Sequence, residues 1–308
     1  MINTIAAAAG AGADQLLGEP PLRWHPVARY GSLMERVERV TYSDSRAAGG
    51  VHLAIGVSTA VGVGLCLRRV LGSPAATAVA TFACVAAKML DDEALTIAGH
   101  LADNDLPAAR SRLTSLVGRS TEQLDAGEIS RAVIESVAEN CVDAVTASLV
   151  WATIGGAPAV LAHRAINTLD AMVGHRNDRY VRFGWASARL DDIVNFAPSR
   201  LTALSVAIAR PGRAATIARV VRRDAPQHPS PNGGVVEASF AAALDVVLGG
   251  VNRYGDVVED RGTLGDGRRA EPADIAAAVT LRRRATIIVA ALLGAASLSR
   301  RLRGCFHR

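Results

Sequence analysis

Long apolar runs alternate with dense polar sections along this chain. The runs cover residues 2–13, 51–67, 74–87, 144–162 and 285–299, with a shorter one at 201–209. A membrane-spanning helix needs about 20 mostly apolar residues, within a range of roughly 17 to 25. Runs 51–67 and 144–162 reach that length directly. The others reach it when flanking polar side chains snorkel or when the helices tilt. Run 2–13 lacks a basic leader, so a cleaved signal peptide is not expected. Run 201–209 predicts a half-helix or an interfacial segment. Between the runs, Leu95, Ala98, Leu101 and Ala102 recur at helical spacing. Asn104-Asp105 then breaks the period, and Pro107 opens a second helix as a first-turn proline. No β-alternation is sustained. The pattern predicts an all-α, polytopic integral membrane protein with about four or five spans and amphipathic or interfacial helices. Residues 1–308 form a single membrane-embedded domain in this reading.

Composition supports that expectation. Half the residues are apolar, 20% are charged and 4% are aromatic, and mean hydropathy is +0.21. The apolar mass is thus Ala, Val, Leu and Ile, and small residues among these let helices approach closely in lipid. Lys88 is the only lysine, and arginines cluster beside apolar runs, as at Arg68-Arg69, Arg282-Arg283-Arg284 and Arg300-Arg301. Basic residues in such places favour the cytoplasmic side of a bilayer. No aromatic–basic interleaving accompanies them, so a nucleic-acid partner is not expected. The cysteines, Cys66, Cys84, Cys141 and Cys305, show no CxxC spacing. They predict neither a disulfide framework nor a zinc site.

Three polar patches carry candidate chemistry. In Glu135-Ser-Val-Ala-Glu139-Asn-Cys-Val-Asp143 the carboxylates fall at i, i+4 and i+8, one stripe on a helix. The stripe leads into an apolar run, where a carboxylate is costly to desolvate and is a functional candidate by default. In the second patch Arg164, Asn167 and Asp170 share a helical edge, and Gly174 marks its stop. His175, Arg176, Asn177, Arg189, Asp191, Asp192 and Asn195 follow. Asp191, Asp192 and Asn195 can share one helix side, and oxygen ligands of that kind suit Mg²⁺. Arginines near them can grip phosphate or carboxylate. The third patch, Asp224-Ala-Pro-Gln-His228-Pro-Ser230-Pro-Asn232-Gly-Gly, predicts a rigid non-helical loop before a helix bearing Glu237. A related His-Pro pair, His25-Pro26, lies near the N-terminus. A solvated helix face or a linker turn would explain each patch singly, but less readily all three. Phosphate-loop, dinucleotide and nucleophile-elbow motifs are absent.

These stretches, DQLLGEPPLRWHPV, ESVAENCVDAV, RAINTLDAMVGHRNDRYVRFGWASARLDDIVNFAPSRLTAL and DAPQHPSPNGGVVEASFA, lie in order along essentially the whole chain. In them the sequence resembles the CobD/CbiB family of cobalamin biosynthesis proteins, the adenosylcobinamide-phosphate synthases. Cys141 and Ala144 stand where the family pattern has Thr and Gly, a difference of packing. The resemblance implies a multi-pass enzyme of the inner membrane with its active site facing the cytoplasm. Such an enzyme joins adenosylcobyric acid to aminopropanol, or to aminopropanol phosphate, with ATP consumed. On that basis Asp143, Asp191 and Asp192 are expected to hold Mg²⁺. Glu135, Glu139 and His228 are the expected catalytic residues. Arg164, Asn167, Arg176, Asn177, Arg189, Ser230, Asn232, His25 and Lys88 are expected to bind substrate or phosphate. The bilayer is the expected environment, and a homo-oligomer or a complex with other membrane enzymes of the pathway is compatible. A corrinoid-binding or transport protein is the alternative, although the polar patches lie between the spans and no internal repeat appears.

Overall fold

A computed structural model of the chain describes residues 1–20, 24–175, 177–254 and 257–306, with the side chains of residues 253, 254, 257, 258 and 304–306 left aside. Twelve α-helices are described: α1 (Ile2–Leu17), α2 (Pro26–Thr41), α3 (Arg46–Leu71), α4 (Ser73–Cys84), α5 (Ala87–Ala102), α6 (Leu106–Leu113), α7 (Ala126–Asn140), α8 (Ala147–Val173), α9 (Trp185–Ala209), α10 (Ala214–Asp224), α11 (Gly233–Leu244) and α12 (Pro272–Phe306). Four stretches are long and apolar enough to cross a membrane: Arg46–Leu71, Ser73–Ala102, Ala126–Val173 and Pro272–Arg303. They carry the runs at 51–67, 74–87, 144–162 and 285–299. The run at 2–13 becomes α1, too short for a span, and 201–209 is the last part of α9. Outward-facing Val51, Ile55, Val63 and Leu65 on α3 are exposed, as lipid contact requires.

The chain forms two compact units. The first comprises Met1–Ala87, Asp143–Asn195 and Ala290–Arg308. Its helices pack through small residues. A Cβ on Gly64 of α3 would fall 2.5 Å from the Pro158 Cα of α8, so only glycine permits that approach. Helix α8 kinks at Gly156, whose φ is +66°, just ahead of Pro158, the usual cause of a broken helical ladder.

The second unit comprises Lys88–Val142 and Phe196–Val289. Its centre is α11, buried from Gly234 to Ala243, as expected of a helix that is apolar on every side. Helix α7 opens with a capping box formed by Asp125 and Glu128, satisfying orphan N–H groups at both positions. Pro107 opens α6 behind the Asp105 cap, as its sequence predicts. This unit also holds a small sheet: β1 (Val246–Tyr254) pairs antiparallel with β2 (Val257–Leu264) and parallel with β3 (Arg268–Arg269). The sequence showed no sustained alternation there because a register shift at Gly249/Val251 interrupts the pairing. Gly249 and Gly250 have φ of +78° and +81°, and such left-handed glycines break the period of two.

Candidate active site

Side chains from four separate stretches meet in the second unit. Helix α7 carries Glu135 and Glu139 one turn apart. The proline-rich loop passes from α10 through a 3₁₀ turn at Ala225–Gln227 and presents His228. Helix α11 brings Glu237, and β2 brings Arg261. The oxygens of Glu139 and Glu237 and the His228 ring nitrogen all lie within 4.8 Å of one another. His228 Nε2 is 3.2 Å from Glu237 Oε1, and both side chains have 0% exposure. His228 Nε2 and both Glu237 oxygens form no hydrogen bond among the described residues at these positions, and Glu139 and Glu237 stand close enough for one carboxyl, when protonated, to donate to the other. Arg261 Nη2 donates to Glu139 Oε1 at 3.3 Å, and its Nη1 is 3.9 Å from Glu237 Oε1. Gly233 abuts the group: its Cβ position lies 3.1 Å from His228 Cε1, 3.3 Å from Glu139 Oε1 and 3.5 Å from Glu237 Oε1.

Burial pushes the Glu237 carboxyl up to about 7, and the Glu135 charge adds to the effect. Burial likewise pulls the His228 imidazole below its ordinary value, with the Arg261 charge pulling the same way. Both groups therefore resist carrying charge unless a counter-charge reaches them.

The loop is built to hold this imidazole. Ser230 N–H donates to His228 Nδ1 at 3.0 Å. Ser230 Oγ accepts from Gly233 N at 3.1 Å, and Asn232 Oδ1 accepts from Ser199 Oγ at 3.1 Å and Arg200 Nη1 at 2.7 Å. Ser230 and Asn232 thus brace the loop. Glu135 is fully engaged, accepting from Arg119 Nη2 at 2.8 Å and from the Gly249 N–H at 2.8 Å. Arg119 in turn donates to Asn252. This buried pair fastens the bulged strand β1 to α7.

The first unit holds a second polar group. Asp191 accepts from Asn195 Nδ2 at 3.1 and 3.0 Å and from Asn167 Nδ2 at 3.4 Å. Asn195 Oδ1 accepts from His163 Nε2 at 2.8 Å, and Asn167 Oδ1 accepts from Arg164 Nη1 at 3.3 Å. Burial pushes Asp191 up, while the Asn195 and Asn167 amides hold it down. Asp170 is close enough to feel the charges of Asp191 and Asp192.

The remaining sequence candidates are scattered. Asp192 sits 4.0 Å from Arg189, one helical step away. Asp143 lies in a π-helical segment, Cys141–Thr146. Among the described residues, Asp143, Asp191 and Asp192 form no three-ligand group. His25 caps α2 and lies 3.0 Å from Glu19 Oε2. Lys88 pairs with Asp92 on the same helix at 2.5 Å. Asn177 Oδ1 accepts from Tyr180 N at 2.9 Å, closing a turn. Arg176 lies outside the described residues. Arg261 and Arg119 were not singled out from sequence, since neither sits in a patterned motif. His163, directly after the apolar run 144–162, was also passed over. Glu237 was visible only as the end of its patch.

A family model described as CobD/Cbib protein matches residues 7–282. The chain belongs to the CobD/Cbib protein family. Cobalamin biosynthesis protein CobD of Mycobacterium tuberculosis (strain ATCC 25618 / H37Rv) is 48% identical over 276 residues, covering 88% of each chain. The protein of the same name from Chromobacterium violaceum is 41% identical over 305 residues, covering 96% of each. That of Geobacter metallireducens is 41% identical over 269 residues, covering 82% of this chain and 83% of its own. No solved structure matches. Both polar groups lie wholly inside the CobD/Cbib match, which ends within α12 at residue 282.

Proposed function

We propose that this chain acts in cobalamin biosynthesis as a membrane ligase. It joins the free propionate carboxyl of adenosylcobyric acid to aminopropanol or aminopropanol phosphate at the cytoplasmic face of the inner membrane. The observation that carries the reading is the Glu139–His228–Glu237 group, buried at His228 and Glu237, with Arg261 against it, inside a CobD/Cbib chain. A carboxylate acylates poorly, so ATP, entering with Mg²⁺ as its counter-ion, converts it to an acyl phosphate and leaves as ADP. The amine then attacks the acyl carbon, phosphate departs, and the amine gives up a proton. Arg261, set against Glu139 and Glu237, steadies the phosphoryl oxygens. Glu139, the member of the group with a 36% exposed side chain, accepts the amine proton. His228 and Glu237 form the dry wall behind it, which keeps water from the acyl phosphate.

The test supplies membranes containing the protein with MgATP, adenosylcobyric acid and aminopropanol phosphate, then follows the amide product and ADP by mass spectrometry. Equal amounts of both are expected. Corrinoid accumulation in vesicles without amide product would overturn the ligase reading and favour a transporter.

A further inference from the structure

We infer that Glu139, His228 and Glu237 form a resident site for a first-row divalent transition ion. The inference deepens the proposed active centre, and rests on that reading only for its consequence in catalysis. Three observations converge. First, the donor atoms are gathered within 4.8 Å, and side-chain rotation of about 1–2 Å brings them to the roughly 3–3.5 Å spacing of ligands held about 2.0–2.2 Å from one ion. Second, His228 Nε2 and both Glu237 oxygens are buried without a hydrogen-bond partner among the described residues. Leaving such atoms bare is costly unless a ligand meets them. Third, the backbone at Gly233 keeps the space beside all three side chains clear, where any Cβ would intrude at 3.1–3.5 Å.

Charge points the same way. Arg131 and Arg119 pair directly with Glu135, while Arg261 is the guanidinium within 4 Å of Glu139 and Glu237 among the described residues. A dication supplies what is missing. The Ser230 backbone serves either tautomer of the imidazole, with its N–H 3.0 Å and its carbonyl oxygen 3.2 Å from His228 Nδ1. Ligation through Nε2 requires the proton on Nδ1, so metal binding turns that nitrogen from accepting the Ser230 N–H to donating to the Ser230 carbonyl. One imidazole with two carboxylates favours ions of the Mn²⁺-to-Zn²⁺ series over Mg²⁺ or Ca²⁺, which prefer all-oxygen sets. Glu139 has two oxygens, so ligation by one leaves the other for the proton of the amine.

The full chain in detergent, stripped with EDTA, is titrated with Mn²⁺ by electron paramagnetic resonance and with Zn²⁺ by equilibrium dialysis. One equivalent per chain is expected, resisting a roughly hundredfold excess of Mg²⁺. His228→Ala and Glu237→Gln should each weaken Mn²⁺ binding at least about tenfold. Gly233→Ala should weaken it without removing a donor atom, and Asp191→Asn should leave it unchanged. Absence of stoichiometric binding, or unaltered binding in both ligand variants, overturns the site. If a ligand variant fails to fold by circular dichroism, Gly233→Ala decides, and full-strength binding there overturns it. Bound Mn²⁺ without any amide product would overturn the ligase reading and leave the site standing. Full turnover of stripped protein on MgATP, with no Mn²⁺ bound, would do the reverse.

Discussion

The two polar groups of this chain are built on opposite plans. In the first unit, Asp191 and Asn195 stand one turn apart on α9, and α8 supplies Asn167 and His163 beside them. The acid there is well supplied, with amide N–H donors on both of its oxygens. In the second unit, Glu139, His228, Glu237 and Arg261 come from four stretches of chain, and the central acid is left without an aligned donor. A hydrogen-bonded acid stabilises its surroundings, whereas a buried unpartnered one destabilises them and persists where a ligand or a reaction needs it. On the proposed function, the contrast gives scaffolding to the Asp191 group and chemistry to the Glu237 group.

Substitution tests that contrast most strongly through turnover. His228→Ala or Glu237→Gln should lower amide formation by about 10³-fold, whereas Asp191→Asn should cost about tenfold or less, both read as initial rates of product. Equal losses would erase the distinction. Next in size is the pair that supports the second group. Arg119→Met leaves Glu135 buried and undercompensated, which should cost about 3–5 kcal/mol in denaturant unfolding followed by tryptophan fluorescence. In the first unit, Asn195→Ala removes the two contacts to Asp191 and should cost about 1–3 kcal/mol by the same measurement.

A pH dependence tests the same acid from another side. Glu237 has an ordinary value of 4.5 and is pushed up to about 7 in the folded chain. Across that window the folded state binds more protons than the unfolded one, so this group's contribution falls as pH rises from 4.5 to about 7. Metal-stripped protein should therefore lose thermal stability over that range, and Glu237→Gln should flatten the profile. An unchanged profile in Glu237→Gln would remove the case for a strained acid.

Much of the architecture is local and was legible in advance. Helical runs, the Pro107 start of α6, the Gly174 stop and the rigid loop before Glu237 all follow from short-range chemistry. The hairpin was not, because its two left-handed glycines and its register shift hide the alternation that marks strands. Arg261 was missed with it.

By itself, then, the sequence determined an all-α membrane protein, its apolar helices and the short stretches that mark the CobD/Cbib family. Those features depend on period, length and residue type within a few turns. Only the tertiary structure decided which polar residues share a site. Glu139, His228, Glu237 and Arg261 are far apart in the chain, and no local spacing relates them. Packing around the buried α11, with β1 tied to α7 through Glu135 and Gly249, brings them together.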